Sequence, residues 1–219
     1  ATCNHHNQSW INDPSNLDER FTRVFWRNLK PKIGLKSRSI QRFSSVMGNL
    51  RSVIDHYCRD FIKCSGGVSS FGLIWFQASD FDKLPPYFSE LMIGRILRSI
   101  GGASKPIKRH KIAKLCRNLI DNSALTETLG GCIVQKLEKG MILIYREYAK
   151  CPAPNTCLQG MTSRWDNRFE ITLSGGQSVI IEALGHRGWR QVTEDKNISE
   201  HFSILKQVPF KARLSLPVV

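Results

Sequence analysis

The chain has 219 residues, and its 32 Lys+Arg against 18 Asp+Glu give a formal net charge of +14 at pH 7. Hydrophobic residues make up 41% and charged residues 23%, so the chain can bury a core and is not a disordered polypeptide. No apolar run approaches the roughly 20 residues that cross a bilayer. The surplus of positive charge favours a polyanionic partner, which is nucleic acid or an anionic membrane surface.

Apolar residues at three- and four-residue steps predict helices over the first 125 residues. The predicted helices cover residues 16–29, 37–62, 86–99 and 106–120, and a short buried strand covers 71–76. Asn16 or Asp18 caps the first helix, which Pro31 ends. Ser37 caps the second helix, and Pro106 suits the first position of the last one.

From residue 128 the apolar residues alternate with polar ones, which is the period of strands. Alternating runs flank residues 138–140 and again 174–177, so each pair predicts a β-hairpin. The segment 151–157 contains two prolines and predicts a boundary, while 211–216 favours a strand. Helices followed by strands predict an α+β fold: an N-terminal helical part, then a β-hairpin-rich C-terminal part.

The seven cysteines are an odd number scattered along the chain, which does not fit a disulfide framework. Cys58 and Cys116 lie on apolar helix faces, where a free cysteine packs as a small hydrophobe. The six histidines lack the spacing of metal ligands or of a catalytic triad. We therefore predict a reduced chain with no metal site and no catalytic residue of its own.

Two glycine-rich stretches, SGGVSS at 65–70 and SGGQS at 174–178, resemble the phosphate loop of ATP pyrophosphatases. Such a loop follows a buried strand and presents backbone N–H groups at the start of a helix. The first stretch instead follows a long helix, and the second lies between two strand-like runs. We predict that neither is a phosphate site, although a stand-alone ATPase that uses 65–70 is an alternative hypothesis.

A dense group of cations with no acid among them lies at residues 105–117. We predict that these six side chains contact nucleic-acid phosphates: Lys105, Lys108, Arg109, Lys111, Lys114 and Arg117. If they are instead a solvated helix face, we expect the nucleic-acid site around Arg164, Arg168, Arg187 and Arg190. Trp165, Phe169 and Trp189 are candidates for base stacking, but core packing is the favoured interpretation.

Several stretches together resemble one enzyme family. SWINDPSNLDERFTRVFWR (9–27) is similar to the W-x-E-D-P-S-N-x-D-x-x-F-x-R segment that closes the catalytic domain of bacterial tRNA(Ile)-lysidine synthetases. RILRSIGG (95–102), TLGGCIV (128–134) and ILIYRE (142–147) resemble the downstream region of alphaproteobacterial members. WDNRFEITL (165–173) and GHRGWR (185–190) complete the match, in the order that the family has.

The resemblance implies the C-terminal part of an ATP-dependent ligase that adenylates the wobble cytidine of tRNA(Ile) and joins lysine to its C2. ATP, with Mg²⁺, would be bound by an upstream domain and by no residue of this chain, so we expect the isolated chain to be inactive. The implied partners are tRNA(Ile) and free lysine in the cytoplasm. We expect no membrane partner and allow for a homodimer.

The resemblance also implies a division of the chain. Residues 1–34 would be the tail of the catalytic domain, 35–150 a helical substrate-recognition domain ending in a hairpin, and 151–219 a small β-rich region. The residues bordering the catalytic domain would be Asp13, Pro14, Ser15, Asn16, Arg23 and Arg27. The alternative is a stand-alone basic module that binds nucleic acid and has no catalytic activity.

Overall fold

The computed structural model describes residue 6 and residues 13–34, 36–102, 105–194, 205 and 208–218. The chain divides into two compact units, Ala1–Tyr57 and Cys58–Val219. Residues 9–12, which belong to the family-like segment, lie outside the described residues. The division at residues 34/35 and 150/151 stays a prediction.

In the first unit, a 3₁₀ turn over Pro14–Leu17 precedes helix α1, Thr22–Lys32. The predicted helix start at Asn16 or Asp18 is wrong, because Asp13 caps the separate 3₁₀ turn by accepting a bond from the Ser15 N–H at 2.8 Å. The predicted end before Pro31 is also wrong. A proline removes one N–H, and Ile33 still donates to the Leu29 carbonyl at 3.2 Å, so the helix continues past Pro31.

Helix α2, Ser37–Ser65, has the apolar stripe that the sequence predicts, and Cys58 is the buried residue of this helix. Between residues 37 and 57 the large apolar side chains of the stripe are mostly exposed, and these are Ile40, Phe43, Val46, Met47, Leu50, Val53 and Tyr57. The stripe therefore predicts the helix correctly, but it does not form a core in this part of the chain.

The second unit contains most of the helices and all of the strands of the described residues. Its further helices are α3 Ala78–Phe81, α4 Pro86–Gly101, α5 Arg109–Asp121, α6 Gly185–Glu194 and α7 Phe210–Arg213. Its strands are β1 Gly66–Val68, β2 Ile74–Gln77, β3 Leu125–Leu129, β4 Cys132–Lys136, β5 Met141–Arg146, β6 Asn155–Cys157, β7 Thr162–Trp165, β8 Phe169–Thr172, β9 Val179–Ala183 and β10 Pro217–Val218. The α+β class predicted from the sequence is confirmed.

A five-stranded antiparallel sheet with the order β1-β2-β5-β4-β3 is the centre of the second unit. The predicted hairpin around 138–140 is confirmed, since β4 and β5 pair with Val134 opposite Ile144. Ile142 and Ile144 are fully buried, and α4 packs against β4 and β5. Leu143 and Tyr145, which alternate with them along β5, join Val208 in a core cluster.

The second predicted hairpin, across 174–177, is wrong. Strand β8 pairs with β7, whereas β9 pairs with β6 and β10. The hairpin that forms turns at Asp166 and Asn167, whose φ angles of 52° and 55° are both left-handed. Trp165 pairs with Phe169, so the loop has three residues, and the Arg168 N–H donates to the Trp165 carbonyl at 3.2 Å across this turn. Asp and Asn tolerate the left-handed conformation better than other non-glycine residues.

Two helices occupy parts of the region expected to be β-rich. Helix α6 covers the GHRGWR stretch, and α7 covers Phe210–Arg213, where the sequence favoured a strand. Pro209 directly precedes α7 with a φ of −52°, a geometry suited to a helix start. Only Pro217–Val218 pairs as a strand in the final described segment, as the partner of β9.

Candidate nucleic-acid interface

Helix α5 is held on the second unit by one apolar side. Ile112, Leu115, Cys116 and Leu119 are buried, and the helix packs against α4 and β3. Burial raises the pKa of the Cys116 thiol to about 12. Because these four residues recur at three- and four-residue steps, the opposite side of the helix faces solvent.

The C-terminal end of α5 is anchored by a buried lysine. Lys136, on β4, is 8% exposed, and its Nζ donates to the Leu119 carbonyl at 2.6 Å. Carbonyls in the last turn of a helix lack intrahelical donors, and a cation also interacts favourably with that end of the helix dipole. The bond fixes the helix against the sheet.

All six cations of the predicted interface are exposed. The helix begins at Arg109 and not at Pro106, because Lys108 has an extended backbone and stands just before the first turn. Lys105 and Lys108 therefore lie on the preceding segment, which corrects the prediction that the helix begins at residue 106 and includes Lys108. Lys111, Lys114 and Arg117 follow one another at three-residue steps along the outer side of α5.

Arg109 differs from the other cations. Its Nε donates to Glu90 Oε2 at 2.8 Å, and its guanidinium lies 4.9 Å from the centre of the Tyr87 ring. The hydrogen bond from Arg109 to Glu90 raises the pKa of the arginine. Glu90 belongs to α4, nineteen positions earlier, so the acid-free run of sequence hides a partner that the fold supplies.

The residues predicted to border a catalytic domain lie together in the first unit. Arg23 Nη2 donates to Asn16 Oδ1 at 3.4 Å, and Arg27 follows Arg23 by one helical turn. The Ser15 N–H, which donates to Asp13, holds the pKa of that carboxyl below its usual value. Their catalytic border role stays a prediction.

A cation-lined cleft that the sequence analysis missed follows from this arrangement. Arg23, Arg27, Lys30 and Lys36 line an open cavity of about 700 Å³ together with Trp26. Four cations at one concave surface attract anions. Their spacing along α1 is visible in the sequence, but Lys36 stands beyond the helix, and only the fold brings it to the same cleft.

Arg168 does not belong to the alternative nucleic-acid site predicted around Arg164, Arg168, Arg187 and Arg190. This side chain is 5% exposed, and its Nε donates to Asp166 Oδ2 at 2.7 Å. Asp166 also accepts two bonds from Arg146, at 2.8 and 2.7 Å. The buried network cannot reach an external ligand, whereas the other three arginines are exposed. Trp165 beside it is 1% exposed, as the core interpretation predicts.

The same network fixes the β7–β8 hairpin to its surroundings. Asn167 Nδ2 donates to the Gly102 carbonyl at 3.0 Å, and Arg168 Nη2 donates to the Ser215 carbonyl at 2.7 Å. Arg146 donates further to the carbonyls of Gly131 and Lys150. Burial disfavours the charged Arg146, but its bonds to Asp166 outweigh this, so its pKa is raised. The hairpin is therefore fixed to the C-terminal end of α4.

The glycine-rich stretches do not fit the phosphates of ATP. Gly66 and Gly67 belong to β1, which pairs antiparallel with β2. A Cβ on Gly66 would lie 1.8 Å from the Trp75 carbonyl oxygen, so the strand is packed against its neighbour and does not surround an anion. The 174–178 stretch links β8 to β9 without a helix after it. Neither has the geometry of a phosphate loop.

The described residues contain neither a metal cluster nor a membrane-spanning helix. Within the described part of the chain, no group of three or more His, Cys, Asp or Glu side chains is placed to hold a metal ion. The six cysteines that the structure describes are all free. None of the described helices combines the length and the apolar character needed to span a bilayer.

Comparison with known proteins places these features in a family. No family model matches the chain. A tRNA(Ile)-lysidine synthase of Wolbachia pipientis wMel is 30% identical to it over 186 residues, which are 82% of this chain and 43% of that protein. The chain belongs to the tRNA(Ile)-lysidine synthase family, as the resemblance predicts.

Two further lysidine synthases support the match. The protein of Anaplasma marginale is 26% identical over 170 residues, which are 75% of this chain and 36% of the relative. The protein of Ruegeria pomeroyi is 26% identical over 196 residues, which are 84% of this chain and 44% of the relative. The chain thus spans less than half the length of these curated relatives.

Proposed function

We propose that this chain is the tRNA-binding C-terminal part of a tRNA(Ile)-lysidine synthase. Two observations together carry the proposal. The chain is similar to the Wolbachia pipientis enzyme over 82% of its length, and a row of exposed cations lies along α5. A tRNA offers a dense array of phosphates, and lysine and arginine side chains bind them by displacing counterions.

Charge and geometry support α5 as the main contact. Lys111, Lys114 and Arg117 lie on its outer side, and Lys105 and Lys108 extend the row beyond its N-terminal end. Because the apolar side and the Lys136 bond fix the helix, the cations are presented on a rigid support. Phosphate contacts position an RNA but do not read its sequence, so discrimination among tRNAs requires further contacts.

The chemistry of the whole enzyme is proposed to lie elsewhere. Neither glycine-rich stretch here fits ATP, and the relatives are more than twice as long as the segment that matches. We assign the binding of ATP, Mg²⁺ and free lysine, and the ligation itself, to the part of the enzyme that this chain does not match. The isolated chain is then inactive. A tRNA substrate implies the cytoplasm, and a homodimer stays a prediction.

The test is a charge-matched comparison of tRNA binding. Replacing Lys111, Lys114 and Arg117 by Ala removes three cations from α5, and Ala preserves the helix. Each lost contact should flatten the slope of log affinity against log salt by roughly 0.7 to 0.9. The control removes the same charge by replacing the exposed Lys63, Lys83 and Lys139 by Ala.

Binding of tRNA(Ile) is measured for the three proteins between about 50 and 200 mM salt, the range over which phosphate contacts differ most. We expect the α5 variant to bind more weakly with a slope flatter by about 2 to 3 units, and the control to resemble the wild type. Equal slopes in all three would contradict an RNA contact at α5. Equal affinity for tRNA(Ile) and for other tRNAs would favour a general nucleic-acid-binding module.

A further inference from the structure

A row of four aromatic rings lies in the second unit, formed by side chains from three separate segments. We call Tyr148, His186, Phe210 and Trp189 the aromatic row. The ring centres of Tyr148 and His186 are 6.0 Å apart, those of His186 and Phe210 are 5.8 Å apart, and those of Phe210 and Trp189 are 6.2 Å apart. The four side chains thus form a row of neighbouring rings, although they come from positions as far apart as 148 and 210.

The aromatic row is both fixed and accessible. Phe210 is 45% exposed and Tyr148 38% exposed, whereas the core Trp165 is 1% exposed. Tyr148 meets His186 at an interplanar angle of 88°, an edge-to-face contact that restrains both rings. Rings that are held in place yet open to solvent offer stacking surface at little further cost in conformational entropy.

Cations lie near both ends of the aromatic row. Arg187 lines a cavity together with Tyr148 and Glu182, and the Arg213 guanidinium lies 4.7 Å from the centre of the Trp189 ring. Arg187 and Arg190 on α6 are exposed, as are Lys150 beside Tyr148 and Lys211 beside Phe210. Arg190 follows His186 by four positions, so both side chains lie on one side of α6. The acid of this helix is Glu194, at its last position. Aromatic rings with cations nearby complement a ligand that combines flat rings with negative charge.

We propose that the aromatic row binds unpaired nucleobases of an RNA by stacking, while the neighbouring cations bind the phosphates of the same strand. This inference rests on the proposed function and assigns a second surface to it. In a duplex the bases are stacked on one another and their faces are hidden, so the aromatic row binds single-stranded segments. The outer side of α5 contacts phosphates alone and accepts paired and unpaired RNA alike.

The test compares two RNAs with the same number of phosphates, a single-stranded oligonucleotide and a blunt duplex, each labelled for fluorescence anisotropy. The variant His186→Leu/Phe210→Leu keeps apolar bulk and removes two rings. Stacking of one base contributes about 1–3 kcal/mol, so the variant should bind the single strand roughly 5- to 150-fold more weakly. Duplex affinity should be unchanged.

Two control variants separate stacking from packing. Phe210→Trp retains an aromatic face and should bind the single strand as the wild type does. Ile180→Ala alters an apolar side chain of β9 that is 61% exposed, and should change neither affinity. Thermal melting of each variant confirms that the fold is intact before affinities are compared.

Unchanged single-strand affinity in the double-leucine variant would overturn the inference, as would an equal loss on both RNAs. Either result would reassign the aromatic row to packing or to a protein partner. The proposed function stands if the wild type binds tRNA, even when the double-leucine variant shows no selective loss of single-strand affinity. A wild type that binds no tRNA removes the proposed function itself, which distinguishes the two failures.

Discussion

Replacing Asp166 by Asn tests whether the buried ion network stabilises the second unit. The carboxylate is 4% exposed and accepts bonds from two guanidinium groups, Arg146 and Arg168, which are 6% and 5% exposed. Asparagine keeps the volume of the side chain and tolerates the left-handed φ of 52° at this position. The substitution therefore removes one charge without creating a cavity or straining the backbone.

The magnitude follows from what remains buried. Removing one partner of a buried ion pair costs about 3–5 kcal/mol, because the other charge is left without compensation. For a chain of this length, 1 kcal/mol shifts the melting temperature by about 2–4 °C. We therefore expect Asp166→Asn to lower the melting temperature of the full chain by about 6–20 °C, and urea unfolding followed by tryptophan fluorescence to show an earlier transition.

The chain contains a matched control for this prediction. Asp18 and Arg20 have the same spacing as Asp166 and Arg168 and the same 2.7 Å separation, but the Arg20 side chain is 90% exposed. An ion pair in water contributes little to stability. Asp18→Asn should leave the melting temperature unchanged within error. If Asp166→Asn lowers the melting temperature no more than Asp18→Asn does, burial of the ion network does not stabilise the second unit.

Two further predictions concern cysteine reactivity and a glycine. Burial raises the pKa of the Cys132 thiol to about 12, so its thiolate is scarce below that pH. At pH 8, iodoacetamide should modify the exposed Cys64 and spare Cys132, as measured by mass spectrometry. Equal labelling of the two cysteines would contradict the burial of Cys132. Gly102 has a φ of +62°, and an added Cβ would lie 2.7 Å from the Asp166 carbonyl oxygen. Gly102→Ala should therefore lower the melting temperature further than Gly140→Ala. Gly140 also has a positive φ, but an added Cβ there would meet no atom within 4 Å. Equal shifts in melting temperature would show that the β7–β8 hairpin can move away from the added methyl group.

Local signals in the sequence predict local structure. The hairpin at 138–140 is found because both its strands and its turn lie within 15 consecutive residues. The helix α6 is missed because two glycines and only Trp189 and Val192 as large apolar residues leave no helical period in GHRGWR and its continuation. The partners of β9 are missed because β10 lies more than 30 residues away along the chain.

The sequence likewise predicts some features of the candidate interface and not others. Its six cations are found because charge is a property of composition. The exposure of the four on α5 follows from the apolar residues on the other side of that helix. The ion pair of Arg109 with Glu90 and the aromatic row depend on contacts between separate elements. No periodic pattern reports such contacts, since each partner looks like an ordinary surface residue in its own segment.

The two Asp-x-Arg pairs show why local sequence does not predict the energy of an interaction. Asp18 with Arg20 and Asp166 with Arg168 have the same spacing and the same 2.7 Å ion pair. One carries a side chain that is 90% exposed, while in the other neither side chain exceeds 5%. Electrostatic energy depends on the medium as strongly as on distance, because attraction and desolvation both rise as water is excluded. The local sequence sets the distance, but residues as remote as Arg146 and Ser215 set the medium, so identical motifs differ in what they contribute.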